Sequence, residues 1–246
     1  ILGGVALAVV IAAGFWVERL GADARLAGAV NAADVRVVTS LPAQVGVVTL
    51  DDGTQVRLAP ESKLSIPASF SRKLRAVKLE GTANFQVAKG LESEFRVYAR
   101  DAIVIATGTA FTVRAYPGEN EAAVVVSEGS VEVRQGSTTR ALQPGGTLVV
   151  SPDSAPRAAT PAEREGATSW ETGTLTITNR QLRDVLPQLH RWYGLDIKVL
   201  DTPLLSRPVT LRASLDSSLQ AIRGVEKSTG LQFGYEGQTM VLREPA

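Results

Sequence analysis

The chain has 246 residues, with 26 lysines and arginines against 25 acidic residues and a formal net charge of +1. That balance gives no clustered basic excess for nucleic acid, and the length favours two modest domains over one. With no cysteine and a single histidine, His190, disulfides, thiolate metal sites, thiol catalysis and multi-histidine centres are excluded, and no cofactor or metal is expected.

The first element is the uncharged run Ile1 to Val17, closed by Phe15, Trp16 and Val17 and followed by Glu18 and Arg19. It falls at the short end of the 17 to 25 or so residues that span a bilayer core, and its aromatic end suits the lipid–water interface. The apolar core of a secretion signal is shorter and is followed by small residues at the cleavage site. We therefore expect a transmembrane helix at 1–17, begun upstream of Ile1. The mixed charge that follows favours the non-cytoplasmic side for the rest of the chain. Residues 18–43 are alanine-rich and read as a mobile or weakly helical stalk.

From 44 to 151 the apolar period is two. VGVVTL and QVRL flank Asp51-Asp52-Gly53-Thr54, a hairpin signal that would put Val48, Leu50, Val56 and Leu58 on one face. The paired acids there serve turn geometry and solvation better than catalysis. Similar turns are expected at Glu80-Gly81, Glu128-Gly129 and Pro144-Gly145-Gly146. Short strands between turns predict an all-β unit, with sandwich, roll and short solenoid all open.

Residues 152–172 are rich in Pro, Ala and Ser and read as a linker. Beyond it, TLTIT (174–178) reads as a strand and Asn179 as an N-cap. The helix that follows carries Leu182, Val185, Leu186, Leu189 and Tyr193 on one stripe, is interrupted by Pro187 and ends at Gly194. Strands LDIKVL and PVTLRA follow. A second helix runs from about 216 or 217 to 229, with Leu219, Ile222, Val225 and Glu226 in helical spacing and Gly230 as its stop. A hairpin around Gly237 closes the chain. The order β-α-β-β-α-β over 173–246 predicts a small domain of two helices against one sheet, so the whole is a multi-domain α+β protein.

Six stretches in order carry a family resemblance: VTLDDGTQVRLAPESKL (48–64), VKLEGTANFQV (77–87), FRV (95–97), GTAFTV (108–113), VVVSEGSVEV (124–133) and LQPGG (142–146). Together they resemble the FecR domain, the periplasmic part of a family of transmembrane anti-sigma regulators. Thr82 stands where the family more often has an acid. Trp170 and GTLTITNRQLRDVLPQLHRWYGLDI make 173–246 similar to the short N-terminal domain of secretins and TonB-dependent receptors. The resemblance implies an inner-membrane, single-pass protein with residues after about 18 in the periplasm. It implies a cytoplasmic segment before Ile1 that holds an extracytoplasmic-function sigma factor. The periplasmic part would contact the signalling domain of an outer-membrane TonB-dependent transporter, and signalling often proceeds through site proteases. An envelope structural or glycan-binding module is the alternative.

The chain carries no convergent acid–base set, so a conventional enzyme is not expected. The family implies one candidate for chemistry: some relatives are thought to self-cleave at a Gly-Thr pair matching Gly108-Thr109. There the hydroxyl would attack the preceding carbonyl by an N-to-O acyl shift. The same residues also read as a strand entry and a β-former beside core Phe111. His190 reads as a surface or packing residue, and Trp192 and Tyr193 as core and rim. For partner contact, exposed strand edges at 175–178 (Leu175, Ile177) and 240–243 (Met240, Leu242) are candidates for strand addition. The loop 201–207, with Leu204 and Leu205, is another.

Overall fold

The computed structural model describes residues 25–32 and 34–245, so the transmembrane helix expected at 1–17 lies outside the described residues. Among the described residues no helix is long and apolar enough to cross a membrane. The strands begin with β1 (Val35–Thr39), β2 (Gly46–Thr49), β3 (Gln55–Leu58), β4 (Lys63–Pro67) and the long β5 (Arg75–Gln86). Next come β6 (Phe95–Ala99), β7 (Ala102–Ala106), β8 (Ala110–Ala115) and β9 (Ala122–Glu128). The unit closes with β10 (Val131–Gln135), β11 (Thr138–Leu142), β12 (Thr147–Ser151) and β13 (Ser154–Arg157). It is thus wider than the expected 44–151. The stalk assignment is corrected at its C-terminal end, because β1 pairs antiparallel with β4 over 35–39.

All thirteen strands join one sheet folded into two halves. One half runs β1-β4-β5-β6-β7-β10-β11 and the other β2-β3-β5-β8-β9-β12-β13. Strand β5 belongs to both. Through Glu80 it pairs with β4 and β6, and from Gly81 with β3 and β8. The halves face each other across one core that includes Leu64, Leu79, Phe95 and Val97 from the first and Val56, Phe85, Phe111 and Val126 from the second. Phe85 stacks on Phe111 with centroids 5.2 Å apart. Because both faces of β5 are covered, it reads as an almost unbroken buried run.

The hairpin at 51–54 forms as expected, with Val48 opposite Val56. The other three expected turns close no hairpin. Gly81 lies inside β5, where the strand passes between halves. Its φ is +109°, and a Cβ there would sit 2.7 Å from Ser62 Cα, so glycine is required. Glu128-Gly129 joins β9 to β10 and Pro144–Gly146 joins β11 to β12, yet neither pair is hydrogen-bonded. Each connection crosses from one half to the other. A glycine turn between two apolar strands has one local signature whether the strands pair or cross over, which is why periodicity misassigns them.

Residues 152–172, expected as a linker, are folded. After β13 comes helix α1 (Pro161–Thr168), opened by a full capping box between Thr160 and Glu163. A short 3₁₀ turn over Ser169–Thr172 follows, with Trp170 buried. The C-terminal unit continues with β14 (Thr174–Gln181), α2 (Leu182–Tyr193), β15 (Ile197–Val199) and β16 (Pro208–Ser214). It ends with α3 (Ser218–Thr229), β17 (Gln232–Glu236) and β18 (Thr239–Arg243). Its strands make two small sheets, β14-β16 and β15-β18-β17, instead of the one expected. Asn179 is not an N-cap. It bulges β14 at φ +47°, and α2 starts three residues later behind Gln181. Pro187 stays within α2. Gly194 and Gly230 end both helices in the left-handed conformation, as expected. On α3 the buried residues are Ala221 and Val225, while Leu219 is exposed.

Candidate functional site

Gly108 and Thr109 lie in the connection from β7 to β8, another crossing between halves. Gly108 has φ +94°, and a Cβ on it would meet Lys89 Cγ at 2.8 Å. Thr109 is 4% exposed. Its carbonyl accepts from the Val87 N–H at 2.9 Å, and its methyl underlies Gly129. Its hydroxyl is buried and has no hydrogen-bond partner among the described residues. A buried hydroxyl left unpaired costs about 1–3 kcal/mol. Lys89 and Glu128 bridge beside the connection at 2.7 Å, both largely exposed. The Lys89 hydrogen bond, with its charge, lowers the Glu128 carboxyl below its usual range. The motif therefore brings together a glycine conformation that other residues adopt poorly and an uncommitted hydroxyl on the next residue.

A second site, with no local sequence signal, is the seam between the two units. Trp170 packs beside Trp192, centroids 6.0 Å apart, with the Arg57 guanidinium of β3 5.4 Å from its ring. Ala59 of the β unit joins the same apolar cluster. Glu171 reaches the outer face of the β unit, accepting from the Thr112 hydroxyl of β8 and from Asn84 Nδ2 of β5, the latter at 3.2 Å. At the far end Arg191 of α2 lies 3.4 Å from the centroid of the Tyr116 ring, with Glu61 at 3.3 Å and Glu119 at 3.4 Å. Its backbone carbonyl, one of the last of α2, accepts from the Ala43 N–H at 2.8 Å. Beside it His190 Nε2 lies 3.2 Å from Glu61 Oε1. Each partner in this clasp is tens of residues distant in sequence, so neither spacing nor composition announces it.

The partner-contact candidates divide. Leu175, Ile177, Leu204 and Leu242 are core residues, and Leu205 and Met240 are partly buried. Strand β18 is no edge, since it pairs with β15 and β17 on its two sides; the expected edge at 240–243 is corrected. Strand β14 has one open side, but α1 packs along it, with Gly166 close to the Thr176 carbonyl and Glu165 accepting from the Thr176 hydroxyl at 3.4 Å. The stretch Thr178–Arg180 is exposed and lines a cleft with Glu121, Glu163 and Arg183. The 201–207 loop is a 3₁₀ turn over 202–206 seated on Leu204. Trp192 is core and Tyr193 its rim, hydroxyl bonded to the Ser214 carbonyl at 3.0 Å. Burial pushes that hydroxyl up to about 12. No group of three or more histidine and carboxylate side chains placed to hold a metal occurs among the described residues.

This two-unit architecture is that of the FecR family. The FecR protein family matches residues 36–132 and its C-terminal domain family, FecR, C-terminal, matches residues 174–242. The chain belongs to this family. It is similar to two crystal structures of a candidate anti-sigma factor from Parabacteroides distasonis, with 26% identity and TM-scores of 0.75 and 0.74. In both cases 86% of this chain and 100% of the other are covered. No curated protein matches it.

Proposed function

We propose that this chain is the signal-receiving part of a transmembrane anti-sigma regulator. The observation that carries the reading is the likeness to the Parabacteroides protein across the whole of that chain, beside the two family matches on this one. In this reading Ile1–Val17 anchors the protein in the inner membrane, with both units in the periplasm. The C-terminal unit receives the signalling domain of a TonB-dependent transporter, and a segment upstream of Ile1 holds an extracytoplasmic-function sigma factor. The seam supports a relay. It combines apolar and aromatic packing with long-range polar contacts, and it grips β8 and β5, strands that continue into the core. In a strain lacking the gene, transcripts of one sigma factor's targets should change severalfold whether or not the transporter's ligand is supplied. Unchanged transcripts under both conditions would remove the reading.

Proteolytic output has a candidate start within the chain. The Thr109 hydroxyl adds to the Gly108 carbonyl carbon, the C–N bond breaks, and the proton passes to the new amine of Thr109. Water then hydrolyses the ester, leaving a carboxylate on Gly108 and the hydroxyl restored on Thr109. The free hydroxyl and the positive φ of Gly108 support this step. Thr109→Ala should yield one intact band where the parent yields two fragments, and Thr109→Ser should still cleave. Two fragments from the alanine variant would exclude cleavage at this bond.

A further inference from the structure

Strand β9 slips by one residue beside Thr109. It pairs with β8 through Val126 opposite Phe111, so an unbroken ladder would set Ser127 opposite Ala110 and Glu128 opposite Thr109. Instead Glu128 lies opposite Ala110. One extra residue in β9 therefore brings Gly129, and not Glu128, against Thr109. Bulges of this kind are frequent beside functional sites, where they re-aim a side chain.

Gly129 is exposed and has φ +75°. Asparagine or aspartate could serve such a turn on conformational grounds, but the space excludes them. A Cβ here would sit 2.7 Å from Thr109 Cγ2 and 3.3 Å from its Cα and Cβ. The glycine is thus a slot for the Thr109 methyl. From the β5 side, the Val87 N–H holds the Thr109 carbonyl at 2.9 Å. Threonine is stiff about χ1, so seating the methyl also settles where the hydroxyl goes. That hydroxyl is buried and has no partner among the described residues. A rotamer that leaves a buried hydroxyl unpaired persists only where packing enforces it. The seat on Gly129 is that packing.

We propose that Gly129 is a positioning residue for cleavage between Gly108 and Thr109. By seating the Thr109 methyl it holds the hydroxyl free to add to the Gly108 carbonyl carbon. The C–O bond then forms as the C–N bond breaks, and the proton passes to the Thr109 amine. This deepens the self-cleavage reading and rests on it. Any side chain at 129 would push the methyl out and turn the hydroxyl away.

The test is the rate at which the full chain forms two fragments on a denaturing gel. Misplacing a reacting group by an ångström costs up to about a hundredfold, so Gly129→Ala should slow cleavage by about tenfold or more. Gly129→Asn carries the same Cβ on a residue that accepts positive φ, and should slow it alike. In the Thr109→Ser background the methyl is gone, and adding Gly129→Ala should change the rate by less than about twofold. Backbone strain at 129 would slow both backgrounds equally, so the difference between them isolates the seat. Amide exchange at Val113, in a strand paired on both sides, reports whether each variant is folded. Parent-like cleavage in a folded Gly129→Ala or Gly129→Asn protein, or equal slowing in the two backgrounds, would overturn the positioning and leave the cleavage standing. A parent chain that stays intact would overturn both.

Discussion

Asp52 sits in a hairpin turn, where an acid usually meets solvent, yet its carboxylate is fully buried against Arg75 at 2.7 Å. It also accepts from the Thr54 N–H and hydroxyl, both at 2.8 Å. Arg75 also donates to the Ser93 and Ala88 carbonyls and lies 5.5 Å from the centroid of the Phe95 ring. The turn was legible in the sequence, but the partner 23 residues away was not, because an ion pair between distant strands leaves no periodic trace. Removing one member of a buried pair strands the other charge, so Arg75→Met should lower the unfolding free energy by about 3–5 kcal/mol in a urea titration. A loss below about 1 kcal/mol would mean that the pair does not hold the turn. Gly81 gives a second residue-scale expectation. Alanine there would have to adopt φ +109° and would press on the Ser62 backbone, a cost of about 2–4 kcal/mol by the same measurement.

At the scale of elements, composition misled most over 152–172. Pro, Ala and Ser suggested a flexible connection, but Thr160, Pro161 and Glu163 are also the residues that start a helix, and in α1 they do so. Arg157 bonds to both Glu163 and Glu121 of the β unit, which ties the helix start to the sheet. The Arg157 hydrogen bond is the main reason that the Glu163 carboxyl falls to about 2. Its folded value lies below its unfolded one, so the contribution to stability is present above the ordinary carboxylate range and is lost as pH falls toward 2. Thr160→Ala should cost about 1 kcal/mol and raise proteolysis between 152 and 168; unchanged proteolysis would show that the cap does not govern the connection. The strands were the readable part, because half-buried β segments alternate. Their pairing was not readable, since Gly129 and Gly145 turn the chain between halves with the same local sequence that closes a hairpin.

The whole molecule joins two units whose family identity was visible in ordered motifs and whose contact was not. Apolar alternation records which face of a strand is buried, but not that Glu171 reaches Thr112 and Asn84 or that Arg191 stacks on Tyr116. The edge expected at β18 failed for a related reason: β15, three residues long, pairs parallel to it and closes that side. If the seam relays a signal, Glu171→Ala should leave each unit folded while loosening their contact by about 1–3 kcal/mol, seen as faster exchange of the Ala43 amide. The account stands most directly on whether the natural protein, with whatever precedes Ile1, holds a sigma factor. Purified from its own membranes after cross-linking, it should carry one extracytoplasmic-function sigma factor in near-stoichiometric amount. Recovery of the intact protein with no sigma factor bound, before or after the transporter's ligand is supplied, would contradict it.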